Sequence, residues 1–322
     1  MAETSDIALS HGEVEHTLIS TSLEIEELDL NLFRSKSLYL PTEARGVFGG
    51  QVISQALLAA TTTVDASYAA HSLHCYFLLS AKATVPILYL VDRVRQGKTY
   101  ATRAVKAVQS GQVVFIMLCS FQIPEPALHK HQWPFPSDVP DPDKCETALQ
   151  RFQRLASHPG MNGTILDSVK AQLNDRMKSP IEHRLAKRIT SEHGTTTAMH
   201  WMRARNAPKY EAPYQKAILA YLSDLQLLGQ AAQTQRLSWF YEYPNKLGMM
   251  STIDHAIWYY DHDFDCSDWL LYIVESSASD MGRALVHGRL YTKAGKLVAV
   301  VSQEGVVRAA PQPKSGPPGA KM

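Results

Sequence analysis

Apolar and polar positions between residues 47 and 123 follow first a helical and then a strand-like pattern. Phe48-Gly49-Gly50-Gln51 opens an apolar stretch that predicts a helix running to about Thr62. Runs rich in β-branched and aromatic residues follow, and Gly97 and the Ser110-Gly111 pair punctuate them as turns. We therefore predict one helix and then four strands, at 72–79, 87–95, 100–109 and 112–123.

The same order of elements recurs in the second half of the chain. A helical pattern covers 214–231, and strand patterns follow at 249–260, 269–275, 283–292 and 296–308. A helix followed by a four-stranded antiparallel meander, found twice, is an internal repeat. Each half alone would leave a sheet face and a sheet edge open, and pairing the halves covers both. We predict an α+β double hotdog, in which two long helices are wrapped by one continuous curved antiparallel sheet.

Composition changes along the chain suggest four segments. We expect an N-terminal hotdog at 1–125, a connector rich in proline and charge at 126–212, a C-terminal hotdog at 213–308 and a disordered tail at 309–322. The tail ends in Ala320-Lys321-Met322, the small, basic and apolar pattern of a peroxisomal address. We therefore expect a peroxisomal import receptor as a partner and the peroxisomal matrix as the location, or the cytosol if the tripeptide is not read.

Charge and motif content exclude several classes of function. The net charge of +1 argues against general nucleic-acid binding, and no apolar run approaches the length of a membrane span. The run from Asp261 to Cys266 fails as a calcium loop, because Cys266 stands where glycine is needed and Tyr272 where the bidentate glutamate belongs. We expect neither a metal nor a cofactor.

Two polar residues interrupt apolar rows in the second half. Asp224 shares a helical face with Ala217 and Tyr221, so the sequence places a carboxylate where the helix should pack. Gln303 ends an alternating apolar row that includes Val301. Each residue is either functional or has a structural explanation. Asp224 could lie at the edge of its apolar face and reach solvent or a backbone amide, and the strand could leave the core at Gln303.

The first half has no matching polar pair. The positions that align with Asp224 and Gln303 are approximately Ala60 and Phe121, which are both apolar. A polar set in only one copy favours a single working site. Thr252 gives no comparable signal, because threonine is common in strands for its β-propensity alone.

Five segments, in order and in both halves, resemble the acyl-CoA thioesterase II family, which includes the peroxisomal acyl-CoA thioesterases. The likeness runs from about Leu23 to Arg308, and its segments lie at 47–56, 71–77, 221–225, 251–255 and 302–308. The sequence departs from the family at 79–82, where Leu-Ser-Ala-Lys replaces a turn of the Arg-Pro-Gly-Asp type. This departure is expected to alter the mouth of the pocket.

The resemblance implies a catalytic set of an aspartate, a threonine or serine, and a glutamine. By resemblance these fall on Asp224, Thr252 and Gln303. The family hydrolyses acyl-CoA thioesters to free fatty acid and CoA, so acyl-CoA is the implied substrate and activated water the implied nucleophile. Members form oligomers of the double unit, so we also expect a homo-oligomer.

Two alternative functions remain open at this stage. A double-hotdog enoyl-CoA hydratase would need an Asp/His pair near a Gly-Asp-x-Asn-Pro type of segment, which the sequence lacks. A non-catalytic acyl-CoA binding protein would have no reason to place a polar trio in an apolar row.

Overall fold

The structure is a computed structural model that describes residues 18–42, 44–126, 129–157 and 163–312. Its α-helices are α1 (Ile19–Leu23), α2 (Gly49–Thr61), α3 (Ala148–Ala156), α4 (Gly163–Lys178), α5 (Ala212–Asp224) and α6 (Leu227–Thr234). The strands of the first half are β1 (Ile25–Asp29), β2 (Leu32–Ser35), β3 (Ala69–Phe77), β4 (Leu88–Gln96), β5 (Tyr100–Gln109) and β6 (Gln112–Gln122). The later strands are β7 (Glu146–Thr147), β8 (Ile181–Thr190), β9 (Thr196–Ala204), β10 (Leu247–Thr252), β11 (Asp254–Tyr259), β12 (Leu270–Asp280), β13 (Arg283–Thr292) and β14 (Leu297–Ala309).

One 14-stranded sheet runs through both halves of the chain. Its order is β1-β2-β4-β5-β6-β3-β11-β14-β13-β12-β9-β8-β7, and β10 pairs with β14 beside this path. The halves meet where β3 pairs antiparallel with β11, from Tyr76 opposite Asp254 to Ser72 opposite Trp258. The prediction of an α+β double hotdog with a continuous antiparallel sheet is confirmed.

Helices α2 and α5 pack against each other and run antiparallel. Ser54 Oγ donates a hydrogen bond to the carbonyl oxygen of Ala217, at 2.8 Å. One turn earlier in α2, a Cβ on Gly50 would lie only 2.7 Å from the carbonyl oxygen of Tyr221. Glycine is therefore required at this crossing. The packing brings the first residues of α2 next to the last residues of α5.

The prediction of one helix over 214–231 is wrong. Helix α5 ends at Asp224, the chain turns through Gln226 in the left-handed region at φ 67°, and α6 begins at Leu227. The stretch from Tyr221 to Leu228 contains no glycine or proline, so the helical pattern crosses the break without a signal. Tertiary packing sets the break: Leu227 and Leu228 are buried after the turn.

The strand predicted over 249–260 is likewise interrupted. β10 ends at Thr252 and β11 begins at Asp254, and both pair with β14. At the bend between them, Ile253 N–H donates to the carbonyl oxygen of Glu304, while Glu304 N–H donates to the Asp254 side chain. These bonds hold Thr252 at the end of a strand, facing the interior of the molecule.

The segment predicted as a connector contributes two long strands to the sheet. β8 pairs with β9, and β9 pairs with β12 of the second half. Their charged outward positions, such as Arg184 and Arg203, obscured the strand pattern in the sequence. Helix α3 begins directly after Thr147, whose side chain caps it. The division of the chain into domains stays a prediction.

Some predictions fall on residues that the structure does not describe. Ala320-Lys321-Met322 and most of the tail lie outside the described residues. Within the described part of the chain, none of the helices is both long and apolar enough to cross a membrane. Over the same residues, His, Cys, Asp and Glu side chains form no group of three that could hold a metal ion.

Candidate active site

Asp224, Thr252 and Gln303 form one hydrogen-bonded cluster. Gln303 Nε2 donates to Asp224 Oδ1 at 3.0 Å and to Thr252 Oγ1 at 2.5 Å. The three side chains come from the end of α5, the end of β10 and the middle of β14. Because Thr252 Oγ1 accepts from the amide, its own hydroxyl hydrogen remains for another partner.

The other oxygen of Asp224 binds the first half of the chain. The backbone N–H of Gly50 donates to Asp224 Oδ2 at 2.8 Å, so the carboxylate lies at the N-terminus of α2. The amides at that end carry a partial positive charge and favour an anion. A Cβ on Gly49 would lie 2.9 Å from the same oxygen, which makes this position also intolerant of a side chain. The sequence signalled these glycines only as a helix start.

Burial raises the pKa of Asp224 to about 6, against the opposing effects of its hydrogen bonds from Gln303 and Gly50. Loss of solvation destabilises the ionised carboxylate by more than the two hydrogen bonds from neutral donors stabilise it. The nearby Cys75, Tyr221 and Tyr272 are also buried, which raises the pKa of each and keeps these groups neutral at pH 7. Among these four side chains, Asp224 is therefore the one that changes charge near pH 6.

Two cavities meet at the cluster. The larger has a volume of about 600 Å³ and the smaller about 280 Å³, and Asp224, Met250, Ser251 and Thr252 line both. The smaller cavity is also lined by Arg176. The larger one has both polar and apolar lining residues, and its apolar wall includes Val47, Val52, Phe77, Val114 and Phe115. A substrate can thus extend in two directions from the carboxylate.

The departure from the family pattern at 79–82 lies beside this cavity. Leu79, Ser80 and Ala81 line the larger cavity, as expected for a change at the pocket mouth. Leu79 is half exposed, whereas Ala81 is buried.

The structure bears on the structural explanation left open for each polar residue. Asp224 does bind a backbone amide, but it does so where two cavities meet rather than at an open edge. Gln303 is fully buried and β14 continues to Ala309, so the strand does not leave the core. The aligned residues of the first half, Ala60 and Phe121, are fully buried.

Sequence reasoning passed over His255. It directly follows Asp254, and neighbours on a strand face opposite ways. They do point apart: Asp254 binds the backbone of Glu304, and His255 is buried with its Nε2 at 2.9 Å from Ser223 Oγ. The signal for His255 was a histidine on the covered face of a central strand.

Family models match both halves of the chain. A model described as the acyl-CoA thioesterase N-terminal domain matches residues 38–122, and one described as the acyl-CoA thioesterase C-terminal domain matches 142–307. The chain belongs to the acyl-CoA thioesterase family. The resemblance found in the sequence is thereby confirmed.

Similar proteins cover nearly the whole chain. Human acyl-coenzyme A thioesterase 8 is 33% identical over 94% of this chain and 92% of its own length. The Saccharomyces cerevisiae peroxisomal acyl-coenzyme A thioester hydrolase 1 is 26% identical over 93% of this chain and 97% of its own. The crystal structure of acyl-CoA thioesterase II TesB2 from Mycobacterium marinum superposes with a TM-score of 0.69 and is 32% identical, covering 93% of this chain and 99% of that one.

The raised pKa of Asp224 predicts a pH-dependent cost in stability. The folded protein holds this proton to about pH 6, whereas an unfolded chain releases it near 3.8. Stability from the protonated carboxyl is thus complete below about pH 4 and is lost as the pH rises through about 6. Asp224→Asn removes the ionisation, so between pH 4.5 and pH 8 its free energy of unfolding should fall by about 1–2 kcal/mol less than that of the wild type.

Urea unfolding of both proteins at pH 4.5 and pH 8 measures the effect. The quantity compared is the change within each protein between the two pH values, so a difference between the proteins at pH 4.5 does not affect it. An equal change in both proteins would contradict the raised pKa of Asp224.

Proposed function

We propose that the chain hydrolyses acyl-CoA thioesters by means of a water molecule that Asp224 activates. The observation that carries the proposal is a partly buried carboxylate of raised pKa, held by Gln303 together with Thr252 where two cavities meet. A general base works best when its pKa lies near the working pH, and burial has moved Asp224 in that direction.

The reaction needs one proton carrier. Water attacks the carbonyl carbon of the thioester while Asp224 accepts its proton, and a tetrahedral oxyanion forms. Collapse of this intermediate breaks the carbon–sulfur bond and releases the CoA thiolate, which takes the proton back from Asp224. The Thr252 hydroxyl and the Gln303 amide orient the water, and no covalent acyl-enzyme is required.

The start of α2 is suited to stabilise the oxyanion. The first amides of a helix have no acceptors within the helix. Gly50 N–H is used by Asp224, and Gly49 lines the larger cavity one residue earlier. We infer that the Gly49 amide donates to the developing charge, where a positioned donor contributes on the order of 10²–10³-fold in rate.

The two cavities suit the two ends of the substrate. The apolar wall of the larger cavity, between helix and sheet, fits an acyl chain. The smaller cavity includes Arg176, a cation compatible with the phosphorylated CoA arm. The thioester would then lie between them, beside Asp224.

Replacing the proposed base should strongly lower the rate of hydrolysis. We expect Asp224→Asn to lower kcat on palmitoyl-CoA by roughly 10²–10⁴-fold, the usual contribution of a positioned base. In the wild type, kcat should fall about tenfold per pH unit below the pKa of Asp224, which is about 6, because the carboxylate must be ionised. Release of free thiol across pH 4.5–8 measures both effects.

A matched pair at the hydroxyl position serves as the control. Thr252→Ser keeps the hydroxyl and should keep most of the activity. Thr252→Val keeps the shape but not the hydroxyl, and it should lose most of the activity. Near-wild-type hydrolysis by Asp224→Asn would contradict the proposal. Hydration of crotonyl-CoA, or tight acyl-CoA binding without thiol release, would instead favour the hydratase or the binding protein.

We propose a peroxisomal location for the protein. One line of support is the Ala320-Lys321-Met322 pattern, which a peroxisomal import receptor would bind. The other is a yeast relative that is named as a peroxisomal thioester hydrolase. An N-terminal fluorescent fusion should be punctate and coincide with a peroxisomal marker, and deletion of the three residues should disperse it. Punctate signal from the truncated fusion would contradict a role for the tripeptide.

We also propose a homo-oligomer. An outer patch of exposed apolar side chains lies on adjacent strands β3 and β6, formed by Tyr76, Ile116 and Leu118. Leu118→Lys should lower the mass measured by light scattering, because a charge on a buried contact is costly. Val94→Lys, at an exposed apolar position on β4, is the control and should leave the mass unchanged. A monomeric wild type would refute the proposal.

A further inference from the structure

The Gln303 side chain is held in one orientation, and the proposed chemistry depends on this. Its Nε2 donates to Asp224 and Thr252. If the amide were turned over, its oxygen would lie about 3.0 Å from Asp224 Oδ1, and two acceptors would repel each other. The Thr252 hydroxyl would also lose its donor. Something must therefore hold the amide oxygen on the opposite side.

His255 occupies that side. Burial lowers the pKa of His255 to about 4, and contact with the Gln303 amide opposes this by raising it. β11 pairs with β14 as far as Ala256 opposite Ser302, so His255 and Gln303, the next residue of each strand, lie side by side, and both are buried. Because Nε2 of Gln303 points to Asp224 and Thr252, its oxygen is the atom left for the imidazole. His255 Nδ1 and Gln303 Oε1 are both buried, and neither has a hydrogen-bond partner among the described residues, so each is the group that would satisfy the other.

The tautomer of His255 follows from counting hydrogens. The Ser223 hydroxyl lies 2.9 Å from His255 Nε2 and 2.8 Å from the carbonyl oxygen of Ala220. A proton on Nε2 would leave Nδ1 and Gln303 Oε1 as two buried acceptors without a donor, which is costly. A proton on Nδ1 satisfies both, because Nδ1–H donates to Gln303 while Ser223 donates to Nε2. Ala220 keeps its helical hydrogen bond.

The side chains around this contact are buried. Ser223, His255, Tyr272 and Gln303 are each at most 1% exposed. Tyr272 donates its hydroxyl to the Ser223 carbonyl oxygen at 2.7 Å. Gly288 makes room for the Tyr272 ring, since a Cβ there would lie 2.4 Å from it.

We propose that His255 is a positioning residue that donates from Nδ1 to Gln303 Oε1 and thereby keeps Gln303 Nε2 on Asp224 and Thr252. Ser223 fixes the tautomer. The neutral imidazole touches no reacting atom and transfers no proton. The proposal concerns the same site and rests on the proposed function, but the orientation itself is a structural claim that can be tested without turnover.

Two substitutions separate positioning from packing. An asparagine amide nitrogen lies near the place of Nδ1, whereas a glutamine amide nitrogen lies near that of Nε2. His255→Asn should therefore keep the donor to Gln303 and retain kcat within about fivefold, although it is the smaller residue. His255→Gln keeps the bulk but loses that donor, and its kcat should fall on the order of 10–100-fold with KM nearly unchanged.

The pH profile provides a second readout. The bond from Gln303 lowers the pKa of Asp224, so a freed amide should move the acid limb of kcat to higher pH in His255→Gln. The limb should stay in place in His255→Asn. Thermal melting by circular dichroism checks that both variants fold. Equal kcat and equal limbs in the two variants would overturn the proposal, whether both lose activity or neither does.

Nuclear magnetic resonance tests the orientation independently of activity. Long-range proton–nitrogen spectra of histidine-labelled protein distinguish the two neutral tautomers, and the His255 signals are those missing from His255→Asn. We expect Nδ1 to carry the proton. Protonation at Nε2 overturns the inference and leaves the proposed hydrolysis untouched. Failure of the wild type to release thiol overturns the hydrolysis and leaves the spectrum to decide the orientation.

Discussion

The burial of one carboxylate, where two antiparallel helices meet, is the constraint on which the site depends. Asp224 accepts hydrogen bonds from the N–H of Gly50, in one half of the chain, and from the side-chain amide of Gln303, in the other. Without these donors a buried charge would cost more than the surrounding core could offset. Burial still outweighs them and raises the pKa of Asp224 to about 6. The same desolvation that opposes folding therefore makes the carboxylate a stronger base.

Much of the fold and part of the candidate site could be predicted from local pattern. Alternation along β14 placed Gln303 on a buried face, and helical spacing placed Asp224 on the packed side of α5. Each residue was visible because a polar group stood in an apolar row. Thr252 fits a strand as well as any residue, so no pattern could distinguish it, and only the family resemblance pointed to it.

What the sequence could not show depends on contacts between distant residues. Gly50 and Asp224 are 174 positions apart, and periodicity indicates which face a residue occupies but not what lies opposite. For the same reason the sequence did not indicate a role for His255. Its side chain lies next to Gln303 only because β11 pairs with β14. The turn at Gln226 has no glycine or proline to mark it, so packing against the sheet decides where α5 stops.

The junction between β3 and β11 joins the halves within a single chain. In an assembly of identical subunits, both pockets would have to carry the same residues, and any change would appear twice. Here the copies can diverge: one has kept its polar groups, and the other has filled the equivalent space with side chains such as Ala60 and Phe121, both fully buried. Covalent linkage thus lets the two repeats carry different residues at equivalent positions, while the first repeat still donates the amide of Gly50 to Asp224 of the second.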